Sequence, residues 1–500
     1  MVRFQLMRCI AAVSITALLV IFYTISFGGT TLKPVKLVKN RGWSSKLSEY
    51  PVIQGSAVES QFMALKVTNC SGSLMQELYV KLNNKYWQVV DDGQVYLYSG
   101  FYDARFVYLK VEYHYVRIVG MSVGKVSGRK YHCSLWYKQF PHLVTVEADA
   151  EEIWLQQWNL NPEPDMYHAY LFTCPIPLEI KKQNIFPSYV SLSSNVCKNM
   201  TTKLPLFGEE VNVLKKRKQK GFVVCVKGMD YAKDLSLRLV EWLELLFILG
   251  ADKVYFYKYR LHENMERVLE FYEKQKKVQV VPLTLPGDQP NNPDLRSSYL
   301  KRAVWQKRRN ELVPYNDCLY RNMYEYEFIV PLDIDEVIMP LKSYTWKSLI
   351  DKYKKENPKW FKKYPSFSAQ NTYFLDVYNS SSNPQIPPYY YMLQSKLRSA
   401  NYSLYGHSVK SFVSTSLSKI VFNHYTLESL YAVKKTYLVM NTSDVQLNHY
   451  KERCPREIYS QCQKKFLIHI KKDDAIDRYQ KQLLKNAEYT IRKLNLLSET

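Results

Sequence analysis

The 500-residue chain has no paired CxxC spacing, no GxxxxGK[ST] phosphate loop, no GxGxxG fingerprint and no GxSxG nucleophile elbow. Those absences remove support from zinc ribbons, P-loop phosphoryl transfer, dinucleotide redox chemistry and the α/β-hydrolase triad. No long Gly/Pro/Ser tract or short-period repeat is present, which argues against a collagenous, solenoid or largely disordered protein. Acidic residues are also scarce. Forty-six Asp and Glu face 69 Lys and Arg, a formal charge of +23. Such an excess attracts polyanions, but Lys, Tyr, Ile, Phe and Asn are abundant together, as an AT-rich coding sequence gives without selection for a partner. No nucleic-acid partner is expected. The densest basic run, Lys215–Lys220, reads as a solvated linker.

What is present begins with a hydrophobic segment. From Cys9 to Phe27, nineteen residues carry no formal charge, with Arg3 and Arg8 before them. As a helix they would measure about 28 Å, close to the hydrocarbon thickness of a bilayer, and they exceed the usual apolar region of a cleavable signal. The expectation is a cytosolic tail over 1–8, an uncleaved transmembrane anchor over 9–27 and a stem over 28–60. Charge on the two flanks is balanced, so orientation rests on chemistry. Five N-x-[ST] acceptors, Asn69, Asn199, Asn379, Asn401 and Asn441, all lie beyond the span, and glycans are added on the lumenal side. So do eight cysteines, Cys70, Cys133, Cys174, Cys197, Cys225, Cys318, Cys454 and Cys462, an even set suited to an oxidising compartment. Their spacing leaves the connectivity open.

Two textures follow the stem. Over 61–214, short runs rich in aromatic and β-branched residues, such as QVYLYSGFY and RFVYLKVEYHYVRIVGMSV, predict a β-rich domain. Over 221–490 strand and helix patterns alternate. GFVVCVK at Gly221–Lys227 reads as a buried strand, the leucines from Leu235 to Leu249 recur at helical spacing up to a capping Gly250, and Val254–Tyr259 and Val278–Leu283 read as further strands. A long helical stretch then leads to a strand, Glu327–Glu336. Alternation of this kind predicts an α/β fold around a parallel sheet, with ligands at the carboxyl ends of the strands. Asp333 and Asp335 end the last strand. Residues two apart on extended chain share a face, so both carboxylates could meet one hard cation while Ile334 turns inward. Magnesium or manganese held there could bridge nucleotide phosphates. His424 and His449 sit in aromatic, strand-like surroundings, where a lone histidine is more often structural than a ligand.

Ordered segments along the chain resemble glycosyltransferase family 92. They are YSGFYDAR at Tyr98–Arg105, VRIVG at Val116–Gly120, CSLWY at Cys133–Tyr137, the Cys225-Val226-Lys227 strand, the Glu241-Trp242-x-Glu244 helix, DCLYRN at Asp317–Asn322, DIDE at Asp333–Glu336 and HYKERC at His449–Cys454. The pattern departs from the family at Val337 and Ile338, where an aromatic pair is usual, and at Pro331-Leu332. The resemblance implies a GT-A fold, a single-pass type II Golgi membrane topology, manganese (or magnesium), and inverting transfer of galactose from UDP-galactose to a glycan acceptor. It places Asp333 and Asp335 at the metal and donor diphosphate, and His449 where a metal-binding histidine is common. An inverting displacement needs a base; Glu336, Glu241 and Asp317 are the candidates. A metal-dependent phosphoesterase and a non-catalytic, metal-dependent glycan-binding protein are the alternatives.

Overall fold

A computed structural model describes residues 79–138, 143–196, 200–208, 219–378, 384–455 and 458–497. The anchor at 9–27, the stem, Lys215–Lys218, Cys70, Cys197, Asn69, Asn199 and Asn379 lie outside the described residues. Within them, no helix is long and apolar enough to cross a membrane.

The first region is β-rich, with nine strands among the described residues between Leu82 and Phe207. Its spine is a long antiparallel hairpin, Val95–Tyr108 against Val111–Val123. The ninth strand, Leu204–Phe207, pairs with Tyr189–Ser193 and also, in parallel, with the first arm of the hairpin. Seven strands therefore close into a ring, which removes the exposed edges that aggregate. Inside it pack Leu97, Tyr102, Val116, Ile118, Tyr131, Phe172 and Leu192. Gly120 has to be glycine: a Cβ there would lie 2.7 Å from the Tyr96 carbonyl oxygen.

The second region is built on a seven-stranded sheet. Its first four strands are β1 (Lys220–Asp230), β2 (Lys253–Arg260), β3 (Val278–Pro282) and β4 (Tyr326–Pro331), crossed over by α1 (Ser236–Leu249), α2 (Glu263–Lys274) and, before β4, α3 (Leu312–Asn322). These four are mutually parallel in the order β3-β2-β1-β4. α1 ends as expected at Gly250, whose φ of 104° is open to glycine and costly to other residues. β5 (Glu336–Pro340) leaves this sheet for a small one. β6 (Ser366–Ala369), β8 (Lys410–Ser414) and β9 (Leu438–Val439) extend the large sheet beyond β4, while β7 (Asn371–Leu375) and β10 (Val445–Lys451) join β5 in the order β5-β10-β7. A terminal helix, α4 (Gln480–Lys493), packs near α1. The long helical stretch expected before β4 is broken into three pieces, Pro293–Arg302, Val304–Asn310 and α3.

The two textures share one core. Trp87, Tyr96, Phe101, Val119, Met121 and Leu171 of the β-rich region pack in the same cluster as Val223 and Cys225 of β1, Tyr257 of β2 and Val313, Tyr315 and Leu319 of α3. Polar links cross as well: the Trp87 indole donates to the Thr284 carbonyl at 2.9 Å, Arg105 to the Ser418 carbonyl at 2.9 Å, and Arg309 meets Glu152 at 2.9 Å. The described residues form one compact unit.

Among the described residues, three disulfides pair six cysteines: Cys133–Cys174, Cys225–Cys318 and Cys454–Cys462. The first lies inside the ring of strands. The second ties β1 to α3 and closes a separation of 93 residues, so it restricts the unfolded chain most, with about 2–4 kcal/mol typical of such bridges.

Candidate active site at the ends of β1 and β4

β1 runs on to β2 and β3 on one side, and the chain then crosses to the other side to form β4. The strand order reverses between β1 and β4, and the crevice at the carboxyl ends of such neighbours is where open α/β sheets bind ligands. Cys225 pairs with Pro331 across these strands, so Lys227 and Asp333 emerge side by side at that crevice.

Asp333 and Asp335 do not lie on extended strand, which corrects the expected Glu327–Glu336 span. β4 ends at Pro331, and a turn closed by the Glu336 N–H on the Asp333 carbonyl (2.9 Å) carries the chain into β5. The turn sets both carboxylates around Glu336, on which each acts electrostatically, and Ile334 still packs against the core. Its shape is fixed from three sides. The Glu336 carboxylate accepts the Asp333 N–H at 3.0 Å, the Tyr450 N–H donates to the Asp335 carbonyl at 2.9 Å, and the Trp242 indole donates to the Glu336 carbonyl at 2.8 Å.

Around this turn converge side chains from five places. Lys227 Nζ of β1 lies 3.1 Å from Asp333 and 3.2 Å from Glu311, just before α3. Lys410 Nζ, at the start of β8, lies 3.1 Å from Glu336 and 3.8 Å from Asp333. From β10 come Lys451, 2.5 Å from Asp335, and His449, whose Nε2 is 3.8 Å from Asp335 and whose Nδ1 is 3.6 Å from Glu336. β10 is the middle strand of its sheet, with His449 opposite Glu336 on one side and Tyr373 on the other. The Tyr373 ring stacks on the imidazole at 5.3 Å.

These neighbours set the charge states. Burial pushes the Asp333 carboxyl up, but Lys227, Lys410 and Lys451 outweigh it and hold the group well below the usual carboxylate range. Burial raises Glu336 to about 7, with Asp333 and Asp335 adding to the effect and Lys410 opposing it. Burial, aided by Lys451, lowers His449 to about 3. The imidazole is therefore neutral, the state a metal ligand needs, and its buried Nε2 has no hydrogen-bond partner.

The donor set of two carboxylates and a neutral imidazole with an orphaned nitrogen fits manganese or magnesium chemically. Among the described residues, no three His, Cys, Asp or Glu side chains are grouped to hold an ion as they stand. Lys451 occupies the Asp335 carboxylate, so a cation between Asp335 and His449 must take that oxygen from it.

The other sequence candidates fall elsewhere. Glu241, inside α1, is 1% exposed and accepts the N–H groups of Tyr391, Met392 and Leu393 at 2.7, 3.0 and 2.8 Å. It caps that segment rather than facing the acidic turn. Asp317, in α3, is buried between the Tyr257 hydroxyl and Arg321, each at 2.5 Å. His424 donates from Nδ1 to the Val409 carbonyl at 2.8 Å and packs 5.6 Å from Trp158; burial lowers its pKa to about 3. Of the proposed glycan acceptors, Asn401 and Asn441 are exposed, and Asn401 donates to the Lys465 carbonyl at 2.9 Å.

Glu241 offers a direct check. Burial raises its pKa from the usual 4.5 to about 7, against the three N–H bonds, which lower it. A carboxyl raised on folding contributes stability that is full below pH 4.5 and is lost as pH rises through about 7. Glu241→Gln should flatten that part of the stability–pH curve, by about 3 kcal/mol at most, and leave turnover near wild type. Urea unfolding at several pH values reads the first effect. A large fall in kcat with the fold intact would return Glu241 to the catalytic candidates.

Lys227, Lys410, Lys451 and Glu311 were not singled out from sequence. Lys227 and Lys451 stand inside the CVK and HYKERC segments, but a lone lysine after an apolar strand gives no spacing signal. Compared with known proteins, residues 220–487 match the model of glycosyltransferase family 92. No curated protein matches the chain. The matched span opens on the first residue of β1, closes within α4 and contains every residue of the acidic cluster.

Proposed function

The chain belongs to glycosyltransferase family 92, and from that premise we propose that it transfers galactose from UDP-galactose to a glycan with inversion, at the crevice between β1 and β4, in a GT-A-type domain. The observation that carries the reading is Asp333 and Asp335 on a rigid turn at the strand-order reversal, where nucleotide ligands bind in sheets of this kind. Asp333, Asp335 and His449 would hold manganese or magnesium, which when bound neutralises charge on the leaving diphosphate.

The chain's own groups do the rest. The three backbone hydrogen bonds around Asp333–Glu336 hold the carboxylates in place before the donor arrives, so little reorganisation is needed during transfer. Tyr373 and the β5 and β7 backbones fix the His449 ring. Glu336 is the base candidate located at this cluster. A carboxyl near pKa 7 can accept a proton from the acceptor hydroxyl and release it at neutral pH.

We place the protein in the Golgi membrane, with 1–8 cytosolic, 9–27 as anchor and the remainder lumenal. Three disulfides and the exposed acceptors Asn401 and Asn441 support an oxidising, glycosylating compartment. The test is a screen of nucleotide sugars with the purified full chain, with and without manganese, against a glycan array. UDP release from UDP-galactose and a new β-linked galactose are expected. Transfer from a different nucleotide sugar would overturn the donor assignment, and no release from any donor would overturn the transferase reading of this site.

A further inference from the structure

Lys227 and Lys410 are unusual lysines. Their side chains are 18% and 4% exposed, although lysine is rarely buried unless paired. They reach Asp333 from strands on opposite sides of β4, at the mouth where a ligand enters. An internal ion pair would account for one of them, but buried pairs are seldom retained for stability alone, because desolvation cancels most of the attraction. Each lysine also has a carboxylate of its own, Glu311 at 3.2 Å from Lys227 and Glu336 at 3.1 Å from Lys410, so their convergence on Asp333 at a ligand crevice requires a second explanation.

The charge count supplies one. Lys227, Arg308, Lys410 and Lys451 interleave with Glu311, Asp333, Asp335 and Glu336 through contacts of 2.5–3.8 Å, and Lys307 adds a fifth cation that interacts with Lys227, Arg308, Glu311 and Asp333. The protein alone is near balance, with five positive groups against four carboxylates. A divalent ion on Asp333 and Asp335 would add two positive charges and repel the ammonium groups already there. Only an incoming anion then restores balance, and a nucleotide diphosphate brings about two to three negative charges.

We propose that Lys227 and Lys410 are the diphosphate-binding residues of the donor site, exchanging the Asp333 carboxylate for phosphate oxygens when metal and nucleotide bind together. The proposal rests on the glycosyltransferase reading of this site and names the groups that hold the donor's charge. Lys227 approaches from the β1 side and Lys410 from the β8 side, so the phosphates are gripped across the open end of β4. Glu311 keeps Lys227 oriented in both states, since its own carboxylate lies 3.2 Å from the ammonium and is independent of the acidic turn.

The experiment is calorimetric titration of the full chain with UDP and with uridine, in manganese, for wild type, Lys227→Met and Lys410→Met. Uridine shares the base and ribose but lacks phosphate. Each substitution is expected to weaken UDP by about tenfold to a hundredfold, the loss of a charge-assisted contact, and to leave uridine unchanged, which also shows that the variant is folded. Equal losses for UDP and uridine would assign the lysines to structure and overturn the proposal, as would unchanged UDP affinity. If the wild type binds no UDP, GDP or CDP, the donor reading itself fails, a result distinct from either of these.

Discussion

Asp335→Asn should lower sugar transfer by about a hundredfold or more while leaving the fold intact. Asparagine keeps the volume and one oxygen of the side chain, so packing at the turn changes little. What it removes is the negative charge, which a divalent ion needs and which Lys451 neutralises at 2.5 Å in the ion's absence. Removing one group that acts on developing charge in a transition state typically costs two to three orders of magnitude in rate. Stability should move by less than about 1 kcal/mol, because the Asp335 side chain is 30% exposed and a pair that open to water is screened. His449→Ala should act more mildly, raising the manganese concentration for half-maximal activity by about tenfold, since water can replace one neutral ligand. The control is thermal unfolding; the decisive data are rates against manganese for each variant. Wild-type transfer by Asp335→Asn without added metal would show that the acidic pair holds no ion.

How much of this site was legible beforehand follows from the range of each signal. Asp333 and Asp335 are two residues apart, and a buried strand before them points to the open end of a sheet. That is local information, and it points to the open end of the sheet although the backbone there is a turn and not a strand. Pro331 and Leu332 look like strand continuation by composition; tertiary pairing decides that β4 stops and β5 departs into another sheet. Glu241 shows where local information ends. A charged residue in an apolar helix looks functional, yet it satisfies three N–H groups 150 residues away, a partnership that sequence spacing cannot reveal. Lys410 carries no local signal, because its importance comes from β8 running antiparallel to β4 and starting where β4 ends.

The boundary between textures was legible, but its meaning was not. A change from β-rich to alternating patterning marks where topology changes, and it says nothing about whether two cores or one lie behind it. The family match, 220–487, falls on the same boundary, yet the packing ignores it. The β1–β2–α3 side of the large sheet is covered by the β-rich region, through Trp87, Tyr96, Phe101, Met121 and Leu171.

Residues 220–497 expressed alone should therefore fail to fold. Without the ring of strands, Val223, Tyr257, Val313, Tyr315, Leu319 and Ile329, each at most 1% exposed, would lose cover. Each fully buried side chain of this kind contributes about 1.5–3 kcal/mol. Baring even half of such a group would remove a sum comparable with the whole stability of an ordinary domain, about 5–15 kcal/mol. The exposed patch would also be an aggregation surface. A milder version isolates the interface: Trp87→Ala removes a ring that is 1% exposed, together with its bond to Thr284, and should cost about 3–5 kcal/mol, read from denaturant midpoints. The expected product of the truncation is insoluble or protease-sensitive chain with no nucleotide binding. A soluble 220–497 fragment that unfolds cooperatively and transfers sugar would show instead that the β-rich region is an accessory, and that the shared core contributes far less than its burial implies.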